Sequence, residues 1–219
     1  MLIPLLAVGG LGVVALGAVI VAFVVTSWIG QPVPVLGFEQ TFKQPIDFPH
    51  TVHAGTDQLG NGMESLGLDC TFCHRTVTTQ ANAGVPPVGQ CAFCHQAIGP
   101  QDSEELQKLR AAAGIAESPG GETDPEPIDW KRVHRMPDHV KFVHEPHIRY
   151  LTSNPSAIGN STSDITSQAE AKPAQVCSTC HGDVAAMEQV EQVEPLKMGQ
   201  CVDCHRDNGA PTDCASCHH

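Results

Sequence analysis

The chain has 219 residues, a formal net charge of -12 and only 5% aromatic residues. An acid surplus of this size sets nucleic acid aside as a partner, and a chain so poor in large rings has few side chains from which to build a wide core. Ten Cys and twelve His are the unusual part of the composition, and they are not scattered.

Residues 2–29 carry no charged side chain, and the first acid is Glu39. As a helix this stretch would be about 40 Å long, enough to cross a bilayer with some tilt. Trp28 stands at its end, where an interfacial ring would lie. The run is longer than the apolar part of a typical signal peptide and no basic stretch precedes it, so 1–29 is expected to be a retained, single-pass transmembrane anchor. Gly12, Ala15, Ala18 and Ala22 fall on one helical face, against which a second helix could pack closely. Pro32, Pro34 and Pro45 predict an extended stalk over 30–45.

Two segments follow that open alike. Residues 46–100 begin with Phe48-Pro49-His50-Thr51-Val52-His53, and residues 130–219 contain Phe142-Val143-His144-Glu145-Pro146-His147. Each F-x-H-x-x-H precedes two C-x-x-C-H motifs, and one further motif closes the second segment, which makes a weak internal repeat. The link over 101–129 is expected to hold a short helix from Ser103 to Ala113, with Ser103 as its cap, and then a Gly- and Pro-rich loop over 118–127. Residues 152–174 read as a second, Ser/Thr/Asn-rich loop of the length often used for docking. Strand signals are sparse. The expected fold is mostly irregular, with short α-helices starting at or just after the motifs.

The ten Cys form five pairs: Cys70/Cys73, Cys91/Cys94, Cys177/Cys180, Cys201/Cys204 and Cys214/Cys217. Each pair is followed directly by a histidine, namely His74, His95, His181, His205 or His218. A disulfide framework does not require that histidine, and neither does a zinc ribbon. C-x-x-C-H is the attachment signature of haem c: two thiols add to the two vinyl groups of one porphyrin, and the adjacent imidazole is placed under the iron. The expected cofactors are therefore five haem c, with these five His as proximal iron ligands. Haem c is attached outside the cytoplasmic membrane, which puts the segments beyond the anchor on the periplasmic side.

Seven His remain, and they decide what such irons could do. In H-x-x-H, positions i and i+3 share a helical face, so His50, His53, His144 and His147 are candidate distal ligands for neighbouring haems. The alternative for such a pair is two ordinary surface His. The fifth distal ligand is one of His134 and His139, with the reading leaning to His134. His219 reads as a terminal surface residue. Bis-His ligation throughout would leave no open iron, which favours electron transfer over catalysis. Met63, Met136, Met187 and Met198 are the competing distal donors, and most read as packing residues. No lysine variant of the motif, no Ser/His/Asp set and no Gly-rich phosphate loop is present, so no catalytic residue is expected.

The stretches FPHTVHAG, LDCTFCHRTV, AGVPPVGQCAFCH, IDWKRVHRMPDHVKFVHEPHIRYL, CSTCHGDVAAMEQVEQVEPLKMGQCVDCHR and DCASCHH together resemble the pentahaem, singly anchored cytochrome c subunit of alternative complex III. The F-x-H-x-x-H half alone is shared with the wider class III and c7-like multihaem cytochromes. The resemblance implies a haem wire inside a quinol-oxidising complex of the cytoplasmic membrane. Its partners would be integral-membrane quinol-binding subunits and a periplasmic iron–sulfur subunit, and its acceptor a periplasmic cytochrome c or blue copper protein.

Overall fold

A computed structural model describes residues 2–29, 43–56, 64–115, 124–158 and 170–219. Residues 30–42 of the predicted 30–45 stalk, Met63 and the middle of the 152–174 loop lie outside those residues. The chain divides into two units, residues 1–40 and residues 41–219.

The first unit holds α1, Leu2–Ile29, a helix of 28 residues with the bounds expected of the apolar run. Its side chains are described over residues 9–25 and all of them are exposed, Leu11, Val13 and Val14 at about 70%. Among the described residues no helix is long and apolar enough to cross a membrane. The described side chains of α1 stop short of the roughly 20 apolar residues that a crossing takes.

The second unit has no strand among the described residues. Its helices are short: α2, His50–His53; α3, Cys70–Cys73; α4, Val88–His95; α5, Glu104–Ala112; α6, His144–Ser153; α7, Pro173–His181; α8, Met198–Asp207; and α9, Cys214–Cys217. Three 3-10 turns, Arg75–Thr78, Pro155–Ala157 and Val184–Ala186, join them. Local chemistry explains where several of the helices start. Asp69 and Asp213, each directly before a motif, accept from Thr71 N at 2.8 Å and Ser216 N at 3.1 Å and so cap α3 and α9. Gln175 and Gln200 reach back to the backbone N–H of Lys172 and Lys197, each at 2.8 Å, which is one half of a capping box. The observed bounds correct the expected placement. The helices at the second, third and fourth motifs begin before the first Cys, so those motifs lie within or at the end of a helix instead of ahead of it. Ser103 caps α5 as expected, accepting from Leu106 N at 3.3 Å.

The 152–174 stretch is more ordered at its ends than a loop. α6 runs on to Ser153, a 3-10 turn follows, and Ala171 donates to Thr152 O at 2.9 Å. The cause is a small apolar cluster, because Ile158, Ala171 and Val176 are buried together with Ile148 and Leu151 against them. A second cluster of Ile46, Leu106 and Leu109, with Val88, Ile128 and Trp130 beside it, fixes α5 against α4.

The repeat is expressed as a reciprocal clasp. α2 of the first segment lies on the Val184–Ala186 turn behind the third motif, and α6 of the second lies on the Arg75–Thr78 turn behind the first. His50 N donates to Met187 O at 3.1 Å, and His144 N donates to Ala81 O at 3.0 Å. Each H-x-x-H helix is thus anchored at its first residue by the opposite segment. Gly182 ends α7 at φ +69, a left-handed conformation that suits glycine, and a Cβ there would lie 2.4 Å from Val193 Cγ2.

Candidate haem-binding histidines and cysteines

The ten motif thiols are all free. They lie in series, and the series departs from chain order. Cys73 of the first motif neighbours Cys94 and Cys91 of the second. Cys70 of the first hydrogen-bonds Cys177 of the third. Cys180 of the third neighbours Cys204 and Cys201 of the fourth, and Cys201 neighbours Cys217 of the fifth. The motifs therefore run second, first, third, fourth, fifth, and the two segments meet where α3 touches α7. Burial pushes the thiols of Cys73, Cys91, Cys180 and Cys201 up, which keeps them protonated. A hydrogen bond shared between the two thiols couples Cys70 to Cys177 and, with burial, pushes the Cys177 thiol up.

Four of the motif histidines have a spare imidazole opposite them at a consistent spacing. Ring centroids are 5.9 Å apart for His53 and His95, 6.3 Å for His144 and His181, 5.9 Å for His147 and His205, and 5.4 Å for His139 and His218. His74, ahead of His53, is the imidazole that most disfavours charge on His50 after burial itself. Two metal–imidazole bonds of about 2 Å, plus just over about 1 Å from each coordinating nitrogen to its ring centre, give roughly 6 Å. The observed spacings match the width of one six-coordinate iron.

The other ring nitrogen is engaged as a ligand requires. Nδ1 lies within hydrogen-bond distance of a backbone carbonyl in seven of these histidines: His53 to Pro49 O at 3.1 Å, His74 to Gly84 O at 2.7 Å, His95 to Ile98 O at 3.3 Å, His144 to Ala81 O at 2.7 Å, His147 to Val143 O at 2.7 Å, His205 to Pro211 O at 2.5 Å and His218 to His139 O at 3.2 Å. An Nδ1–H donated in this way leaves Nε2 as the lone-pair nitrogen. Phe48 and Phe142 hold their H-x-x-H pairs identically: each ring meets the first His edge-on at 4.9 and 4.8 Å and stacks on the second at 4.4 and 4.7 Å. Burial, then neighbouring imidazoles, lower His50 and His181 to about 4, so both are neutral donors near pH 7.

This donor set fits haem c. The fit extends to the core, since the described residues bury only seven apolar side chains, few enough to leave room for bulky prosthetic groups.

The lean towards His134 as the fifth distal ligand does not match the geometry. His139 faces His218, because Val140 bridges His218, Lys141 N donates to Cys217 O at 2.8 Å and His219 N donates to His139 O at 3.2 Å. His134 instead lies edge-on to His181, at 4.3 Å and 89°. Met198 is 69% exposed, and Met187 gives its carbonyl to His50. The acceptors for the ring N–H groups are backbone atoms, which no sequence motif names. Asp69 and Asp213 had a visible signal, an acid directly before C-x-x-C.

No protein-family model matches the chain. It is 27% identical over 192 residues to the multihaem cytochrome c subunit of menaquinone reductase from Nitratidesulfovibrio vulgaris (strain Hildenborough), a match that covers 80% of this chain and 77% of that protein.

Proposed function

We propose that this chain is a membrane-anchored c-type cytochrome with five covalently attached haems, and that it carries electrons along them within a quinone-linked complex. The observation that carries the reading is the pairing of imidazoles: each C-x-x-C-H histidine has a spare histidine beside it, four of them at the width of one iron. The assigned pairs are His74 with His50, His95 with His53, His181 with His144, His205 with His147 and His218 with His139, and the ten motif cysteines form the thioether links. Bound haem supplies reversible one-electron chemistry at an iron whose potential follows its axial ligands and surroundings. The residues of this chain do the rest. The cysteines would fix each macrocycle, Nδ1–H···O=C bonds orient seven of the ten imidazoles, and paired histidines at every iron would leave no place for a substrate.

The order of the thiols supports a path from the second motif through the first, third and fourth to the fifth. The junction between segments falls at the Cys70–Cys177 contact. The 28-residue helix α1, without a charged side chain, supports single-pass anchoring in the cytoplasmic membrane, with the haem segments on the periplasmic side. One helix cannot enclose a quinone, so the quinone site would belong to integral-membrane partner subunits. A periplasmic iron–sulfur subunit would complete an alternative complex III, and a cytochrome c or blue copper protein would accept the electrons.

A second reading reverses the direction of flow, and the similarity to a menaquinone reductase subunit favours it. Purification from native membranes tests both readings. Five haems by mass and pyridine haemochrome, with polytopic subunits copurifying, are expected. A chain without haem, or one purified alone, would overturn the assignment. Haem reduction by added menaquinol, against oxidation of the reduced haems by menaquinone, decides the direction.

A further inference from the structure

Two of the seven spare histidines have no iron of their own, the exposed terminal His219 and His134. His50, His53, His139, His144 and His147 account for five distal positions, and His134 is left beside His181, whose position His144 already faces. It is no ordinary surface residue. Its Nε2 is buried without a hydrogen-bond partner, a costly state for a ring nitrogen unless something occupies it. Three imidazoles, those of His134, His144 and His181, therefore converge where one iron has two axial positions.

We infer that the third motif has two exchangeable distal ligands, with His144 resident and His134 in reserve; this rests on the haem reading above. The geometry sets the order. His144 is parallel to His181 to within 8° at 6.3 Å, and its backbone N and its Nδ1 are both held by Ala81 O, at 3.0 and 2.7 Å. His134 stands at 4.3 Å from His181, closer by nearly about 2 Å than an intervening iron allows. It must withdraw to bind, and its backbone permits this, because residues 124–137 form no helix. Of the seven spare histidines, only His134 and His144 share a motif histidine as their ring partner among the described residues.

The test counts high-spin iron in the full-length, haem-loaded chain by electron paramagnetic resonance and by carbon monoxide uptake. His53→Ala sets the reference, with one high-spin, ligand-binding haem in five. His144→Ala is expected to remain fully low-spin, His134→Ala likewise, and the His134→Ala/His144→Ala double variant to match the His53→Ala count. His144→Gln, whose amide can still donate to Ala81 O, repeats the measurement without loosening α6. A His144→Ala or His144→Gln protein with one high-spin haem in five, unchanged by removing His134, overturns the inference. A wild-type chain that carries no haem would overturn the functional reading instead.

Discussion

His139→Ala separates the two candidates for the fifth distal ligand. The ring centroids of His139 and His218 are 5.4 Å apart and their planes within 20° of parallel, against roughly 6 Å for two imidazoles on one iron. Closing that gap needs a shift of about 0.5 Å, which side-chain rotation supplies. His134 is not the ring neighbour of His218; it meets His181. The contacts that hold the terminal segment are backbone ones: Lys141 N to Cys217 O, His219 N to His139 O and the Val140–His218 bridge. Alanine at 139 preserves all three, so the variant removes a ligand and leaves the local fold intact. One haem in five should become high-spin and bind carbon monoxide, and the other four should keep their spectra. Low-spin absorbance should fall by about a fifth, with the change confined to the fifth motif. The measurement is a carbon monoxide titration of the reduced, full-length protein against His134→Ala prepared in parallel. Full low-spin character in His139→Ala, with a high-spin haem in His134→Ala, would refute the geometric argument.

Three further outcomes follow from the packing. Leu106→Ala opens the cluster that seats α5 on α4; both Leu106 and Leu109 are at least nine-tenths buried, so the loss is about 2–4 kcal/mol, read as a lower midpoint in guanidinium denaturation. Arg110 Nε, on α5, donates to His95 O at 2.9 Å, so the absorbance of the second haem should also change before global unfolding. Asp69→Ala removes the acceptor for Thr71 N and costs about 1 kcal/mol, whereas Asp69→Asn restores most of it, as compared by thermal melts. Gly182→Ala places a Cβ at φ +69 and 2.4 Å from Val193, costing at least about 1 kcal/mol, and should lower the yield of fully loaded protein because the strain sits next to His181.

What the sequence made legible was local. C-x-x-C-H names its own chemistry, and H-x-x-H, with a phenylalanine two residues ahead of it, named two helical turns that form as expected, His50–His53 and the start of His144–Ser153. Ser103 announced α5. The pairing of motif histidines with spare imidazoles was not legible, because the clasp sets it: α2 sits on a turn more than 130 residues away, through Thr51 Oγ1 to Glu188 and His50 N to Met187 O. No periodicity announces such a contact. The same holds for His139, whose position follows from its pairing with the last three residues, 79 positions on.

The clasp also bears on how electrons could cross between the two segments. A chain of motifs connected only in sequence order would join the second motif to the third, through the whole 101–129 link. The reciprocal seating of α2 and α6 instead brings the first and third motifs together, so that Cys70 and Cys177 touch. The second and fifth motifs are left as the two ends of the series. Lengthening the link should therefore leave transfer between the segments nearly unchanged, since its own span does not carry the junction. A change at the clasp, such as Thr51→Val with Glu188→Gln, which removes a 2.9 Å hydrogen bond, should slow it. Stopped-flow reduction of the haem-loaded chain, resolved into its two segments by their spectra, separates these outcomes. Slowing by the longer link alone would mean that the path follows the chain and not the contact.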